Sequence, residues 1–147
     1  MAKLETRNSK LAKPSTIGAN PVRDFTDLDA WRLGRELRMT IYTITRRFPS
    51  EERHALIDQM RRAALSVTAN VAEGFGRFSY KENVQFCRHA RGSAFELRVH
   101  LTSALDAAYI SSQEWKDIDA AAQRVIQVLN GYIRATQRLA MNSRPAD

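Results

Sequence analysis

Cysteine is almost absent from this chain of 147 residues: Cys87 stands alone, which excludes an intrachain disulfide and fits a reducing, cytoplasmic setting. Its neighbours Phe86 and Ala90 make a buried, inert thiol the expected state. Long apolar runs are also missing. No stretch approaches the roughly 18 apolar residues of a membrane span, and no segment near the N-terminus has the apolar core of a secretory signal, so no membrane is expected as a partner. Histidine is scarce, and His54, His89 and His100 have no evident nucleophile beside them. With no Ser-His-Asp or Cys-His arrangement legible, an enzyme is not expected. Acidic side chains are the minority, 16 against 23 basic ones, for a formal net charge of +7, which suits an acidic partner.

The basic excess is uneven. Residues 1–23 carry Lys3, Arg7, Lys10, Lys13 and Arg23 against Glu5 alone, a net of +4, whereas residues 24–140 carry 17 basic and 14 acidic side chains, a net of +3. With Pro14, Gly18 and Pro21 and little apolar periodicity, residues 1–23 are expected to form a flexible basic tail. The expected layout is that tail, one domain over 24–140 and a short C-terminal tail over 141–147.

Apolar residues three and four apart predict four helices. The first follows a Thr26 cap, with Ala30, Leu33, Leu37, Ile41, Ile44 and Phe48 on one face until Pro49 stops it. Ser50 is expected to cap the second, with Glu51 and Glu52 in its first turn and a stripe of Leu56, Met60, Ala63, Val67 and Val71. Gly74 is expected to end it as a left-handed C-cap. Ser79 with Glu82, then Ser111 with Glu114, form capping boxes for the third and fourth. Phe86, Ala90, Ala94, Leu97, Leu101 and Leu105 make the third stripe; Ile118, Ala122, Val125, Leu129, Tyr132, Thr136 and Leu139 make the fourth. No segment reads as a strand. Short connections between four amphipathic helices predict an all-α fold, an up-down-up-down antiparallel four-helix bundle.

The stretch "NVAEGFGRFSY" (70–80) superficially resembles an RNA-binding strand or a phosphate loop. Glu73 occupies the position where the RNA-binding signature needs a basic residue, and no strand or Gly-Lys-Ser/Thr ending accompanies the glycines. It is expected to be a connector between helices.

Beside the core stripe of the second helix runs a polar ribbon of Gln59, Arg62, Ser66, Asn70 and Glu73, matched on the third by His89, Ser93, Glu96 and His100. Antiparallel pairing predicts that the ribbons meet, share hydrogen bonds and form an ion pair of Arg62 with Glu96, which fixes register. If that pair is buried, losing Arg62 costs about 3–5 kcal/mol. Glu96 and His100 are four apart and stand alone, unlike the Glu-x-x-His pairs of di-iron bundles, so no metal or other cofactor is expected. The third helix also carries Val84, Phe95 and Val99 far round from its core stripe, among Lys81, Arg88, Arg91 and Arg98. A helix apolar on two sides predicts a homo-oligomer, with Trp31 and Tyr42 of the first helix completing the interface.

"DLDAW" (27–31), the series Tyr42, Thr45, Phe48, Pro49 and Glu52, "L..QMRRAALSVTANVAEG" (56–74) and "GSAFE" (92–96) together resemble the four-helix-bundle proteins encoded within intervening sequences of 23S ribosomal RNA genes. The resemblance spans roughly residues 25–138 and departs at Gly34, where alanine is the expected residue; glycine there loosens the helix by up to about 1 kcal/mol. It gives Gln59, Arg62, Ser66, Asn70, Glu73, Gly74, Ser93 and Glu96 a fold-defining role. It further implies a likeness to the accessory variability protein of diversity-generating retroelements, a homopentamer that binds nucleic acid and a reverse transcriptase.

The expected function is therefore a non-enzymatic accessory protein that binds RNA or DNA through phosphate contacts, on structured RNA or an RNA–DNA intermediate. The candidate residues are Lys81, Arg88, Arg91 and Arg98 on the third helix, Arg46 and Arg47 beside Pro49, and Lys3, Arg7, Lys10 and Lys13 as a trailing arm. The alternative is a protein-interaction scaffold to which nucleic acid is incidental.

Overall fold

The computed structural model describes residues 21–145. Four α-helices account for most of them: α1 (Asp29–Thr45), α2 (Leu56–Gly76), α3 (Tyr80–Asp106) and α4 (Ser112–Asn142). No described residue is in a strand. Each helix packs against its neighbour in the chain, and α1 packs against α4, which closes the four into a bundle. Contacts run in opposite directions along paired helices: Arg91 meets Asn130 while Arg98 meets Asp119, and Gly34 and Thr45 of α1 lie against Thr68 and Arg61 of α2. The pairs are antiparallel, as the short connections require.

Helix starts differ from expectation in two places. Thr26 does not cap α1. It lies in a 3-10 turn, Phe25–Asp27, capped by Asp24, whose carboxylate accepts the Phe25 N–H at 2.9 Å and the Thr26 hydroxyl at 3.3 Å. Asp27 closes the box by accepting the N–H groups of Arg23 and Asp24, which hold its carboxyl below the usual carboxylate range. Ser50 likewise begins a 3-10 turn, Ser50–Glu52, and α2 starts only at Leu56. Glu52 reaches forward instead: one carboxylate oxygen accepts the Leu56 N–H at 3.1 Å and the other accepts the Tyr109 hydroxyl at 3.0 Å. One acid thus caps α2 and ties it to the α3–α4 connector. Ser79 and Ser111 cap α3 and α4 as their sequence positions predict, although the reciprocal Glu bond forms only at Ser111.

Gly74 is not a left-handed cap. It lies inside α2, and no described glycine has a positive φ. A Cβ there would stand 2.9 Å from Asn83 Oδ1 and from Phe86 Cβ, so a side chain is excluded by the close approach of α3. Gly34 is also a packing residue: its Cβ would lie 3.2 Å from methyl groups of Val67 and Thr68, so α1 sits closer to α2 than alanine would comfortably permit.

The core follows the predicted stripes through Leu37, Ile41, Met60, Val67, Val71, Leu97, Leu101, Val125 and Leu129, while Leu33, Leu56, Phe86, Leu105 and Leu139 are half-buried at its margin. Val84 belongs to this core. It is 5% exposed, because its place at the flank of α3 is covered by the end of α4, and it is not a spare apolar residue as expected. Within the core, the Asn83 amide donates to the Tyr132 hydroxyl at 3.0 Å, and Cys87 donates to Asn83 Oδ1 at 3.6 Å. Burial pushes the Cys87 thiol up to about 12, consistent with an inert packing residue.

Candidate functional site

The α2–α3 ribbons do meet. Ser66 and Ser93 share a hydrogen bond of 2.8 Å, and Asn70 donates to Ser66 Oγ at 3.0 Å. Gln59, Arg62, Ala63, Ser66 and Glu96 line a hollow of about 370 Å³. The expected Arg62–Glu96 ion pair does not form. Arg62 lies 3.6 Å from Asp58 with 74% of its side chain exposed, Glu96 meets His100 at 3.2 Å, and Glu73 pairs with Arg77 at 2.8 Å. Each acid finds a partner one turn away on its own helix, where no second helix has to be held in place. His89 approaches Gln85 at 3.4 Å. Among the described residues, no three His, Cys, Asp or Glu side chains gather as a metal site.

The basic candidates divide sharply. Arg98 is unavailable to a phosphate: its guanidinium donates to both carboxylate oxygens of Asp119, at 2.8 and 3.3 Å, and lies 5.7 Å from the Phe95 ring centre. Burial alone raises the Asp119 pKa, but bonds from Arg98 and Gln123, with the charge of Arg98, outweigh it and leave that carboxyl below 3.8. Arg47 is likewise spent on Glu114, the acid that also caps α4. Arg91 donates to neutral Asn130 at 2.8 Å and so keeps its charge. Lys3, Arg7, Lys10 and Lys13 lie outside the described residues.

Lys81 and Arg88 come together with a residue that the sequence places in the C-terminal tail. α4 continues to Asn142, and Arg144 just beyond it joins them around a cavity of about 660 Å³ between the start of α3 and the end of α4. Tyr80, Val84, Ala140 and Met141 give it an apolar floor, and Glu82 is the one carboxylate among the described residues that line it. Three cations against one anion leave it net positive. Gln137 and Met141 lie four apart on α4 and Arg144 follows three residues later, just past its end, so a wheel stopped at 140 misses this wall.

Of the residues expected at an interface, Phe95 (48%) and Val99 (64%) are exposed, whereas Trp31 and Tyr42 are half-buried, with Arg35 and Arg61 lying over their rings. Arg46 lines a shallow hollow on α1 with Arg38, Met39, Tyr42 and Thr43.

Fold and surface together define a small antiparallel four-helix-bundle protein with a self-satisfied polar seam and a basic groove at one end. The chain belongs to the 23S rRNA-intervening sequence protein family, whose model matches residues 26–131. A Bacteroides thetaiotaomicron protein of unknown function from the S23 ribosomal protein family shares the fold: its structure superposes with a TM-score of 0.66, covering 71% of this chain and 98% of that one at 18% identity. No curated protein matches the sequence. Among the described residues, no helix is long and apolar enough to cross a membrane.

Proposed function

We propose that this chain is a non-enzymatic, cytoplasmic nucleic-acid-binding accessory protein that holds structured RNA or an RNA–DNA intermediate by its phosphates. The observation that carries the reading is the groove of Lys81, Arg88 and Arg144, where, among the described residues, a single carboxylate faces three cations. Arg91, half-buried and held by neutral Asn130, extends the positive field along α3. Such a site attracts phosphates with no base-reading group and makes binding depend on salt.

Titrating a labelled RNA hairpin over a salt series tests this. The Lys81→Gln/Arg88→Gln/Arg144→Gln variant is expected to make the slope of log affinity against log salt less negative by about 2, because three phosphates are no longer neutralised. A wild-type affinity indifferent to salt overturns the reading.

The exposure of Phe95 and Val99 favours a second reading, in which α3 docks on protein: copies of the same chain in a pentameric ring, or a reverse transcriptase. At +7 per copy, a ring of five carries about +35, so a ring would reinforce phosphate attraction. Sedimentation of a monomer at all concentrations, unchanged by Phe95→Ser/Val99→Ser, counts against the ring.

A further inference from the structure

On the opposite side of the bundle, guanidinium groups gather with no ion pair among the described residues. Trp31, Arg35, Arg38, Tyr42 and Arg46, the last being the C-cap of α1, recur every three or four residues along one face, from which Arg38 and Tyr42 meet α2. Arg38 donates to Thr68 at 2.9 Å. Arg61, from α2, donates to Thr45 at 2.9 Å and to the Tyr42 carbonyl at 3.4 Å, with its guanidinium 4.9 Å from the Tyr42 ring centre. Arg35 lies 5.9 Å from that of Trp31. Among the described residues, none of the ion pairs includes Arg35, Arg38, Arg46 or Arg61.

Neutral partners therefore fix Arg38 and Arg61 without cancelling their charge. Arg38 uses one N–H on Thr68 and Arg61 uses two on its partners, which leaves donors of each fork open to an anion. From Trp31 to Arg46 the stripe runs about 22 Å along the helix, at about 1.5 Å per residue. That is longer than one phosphate group can bridge, so an occupant that satisfies it must carry phosphates in series. The two rings already have guanidinium groups over them, which leaves them poorly placed to stack on bases. The contact would be with the backbone and indifferent to sequence. The guanidinium groups stand in single file along one face of α1, which matches one row of phosphates and so one strand.

We infer that the α1–α2 flank is a second phosphate track, separate from the α3–α4 groove, that takes the sugar-phosphate backbone of a single nucleic-acid strand; this deepens, and rests on, the nucleic-acid reading above. Fluorescence anisotropy with a labelled oligouridylate over a salt series tests it. Arg35 and Arg46 are exposed, so the Arg35→Gln/Arg46→Gln variant keeps the fold, as circular dichroism would verify. Its slope of log affinity against log salt is expected to become less negative by about 1.4, at about 0.7 for each phosphate no longer neutralised. The Arg35→Lys/Arg46→Lys variant is expected to retain the wild-type slope, because charge sets it. Combined with Lys81→Gln/Arg88→Gln, the two changes are expected to add, since the flanks share no residue. An unchanged slope for Arg35→Gln/Arg46→Gln beside a reduced one for Lys81→Gln/Arg88→Gln overturns the second track and leaves the groove standing. A wild-type slope near zero overturns both.

Discussion

Helix α3 presents polar side chains to both of its neighbours, and the two seams behave differently. Toward α2, Ser66 and Ser93 bond to each other, and the arginines beside them are paired along the chain as Asp58–Arg62 and Glu73–Arg77, while Glu96 lies 3.2 Å from His100. Toward α4, among the described residues, only Arg98 forms an ion pair, with Asp119, while Arg91 has a neutral partner and Lys81 and Arg88 face Arg144. Both seams are rich in arginine. What separates them is whether an acid stands one turn away: where it does, little field leaves the surface, and where it does not, the seam can act on an anion.

The largest expected effect tests the one neutralised contact on the α4 side. Arg98→Ala leaves the buried Asp119 with Gln123 as its remaining side-chain partner and should cost about 2–3 kcal/mol in denaturant unfolding. Its pH signature sharpens the test. The Asp119 pKa is lowered in the folded state, so its stabilising contribution is present above the unfolded value, near 3.8, and is lost as pH falls through the folded one. The variant should lose less stability than wild type on acidification, because burial without Arg98 raises that pKa. Equal acid sensitivity of the two proteins would show that the pair carries no linkage.

Gly74→Ala follows, at about 2 kcal/mol, because its methyl group meets the Asn83 backbone carbonyl at 3.0 Å as well as two side-chain atoms. Gly34→Ala meets only methyl groups and gains helix propensity, so its net change should stay within about 1 kcal/mol. Equal costs would mean that the α2–α3 approach is no tighter than the α1–α2 one. Ser66→Ala should cost about 1 kcal/mol and leave any RNA affinity unchanged, which marks the α2–α3 seam as structural. Arg62→Ala should cost under about 0.5 kcal/mol, well below the 3–5 kcal/mol expected of a buried pair, since its bond to Asp58 is an exposed i,i+4 contact. A larger loss on thermal unfolding would restore the cross-helix pair.

Much of the fold was legible because burial leaves a period. Leu97, Leu101, Met60, Val67 and Leu129 fall where spacing puts them, and Ser111 with Glu114 marks a helix start by local chemistry alone. Thr26 and Ser50 misled because cap preference does not say whether a 3-10 turn or an α-helix follows; Pro49 and the long reach of Glu52 decided that. Val84 looked surplus because a wheel drawn for one helix does not show what the end of α4 covers.

The sequence alone settled that four amphipathic helices form and that positive charge exceeds negative, because periodicity and composition are properties of the chain itself. Which arginines keep their charge was decided only in three dimensions. Arg98 and Arg47 are quenched by Asp119 and Glu114, far away in sequence, while Arg38 and Arg61 meet hydroxyl groups. A charge is neutralised by direct contact with its counter-ion, so the partner that does it is fixed by packing between helices and not by order along the chain.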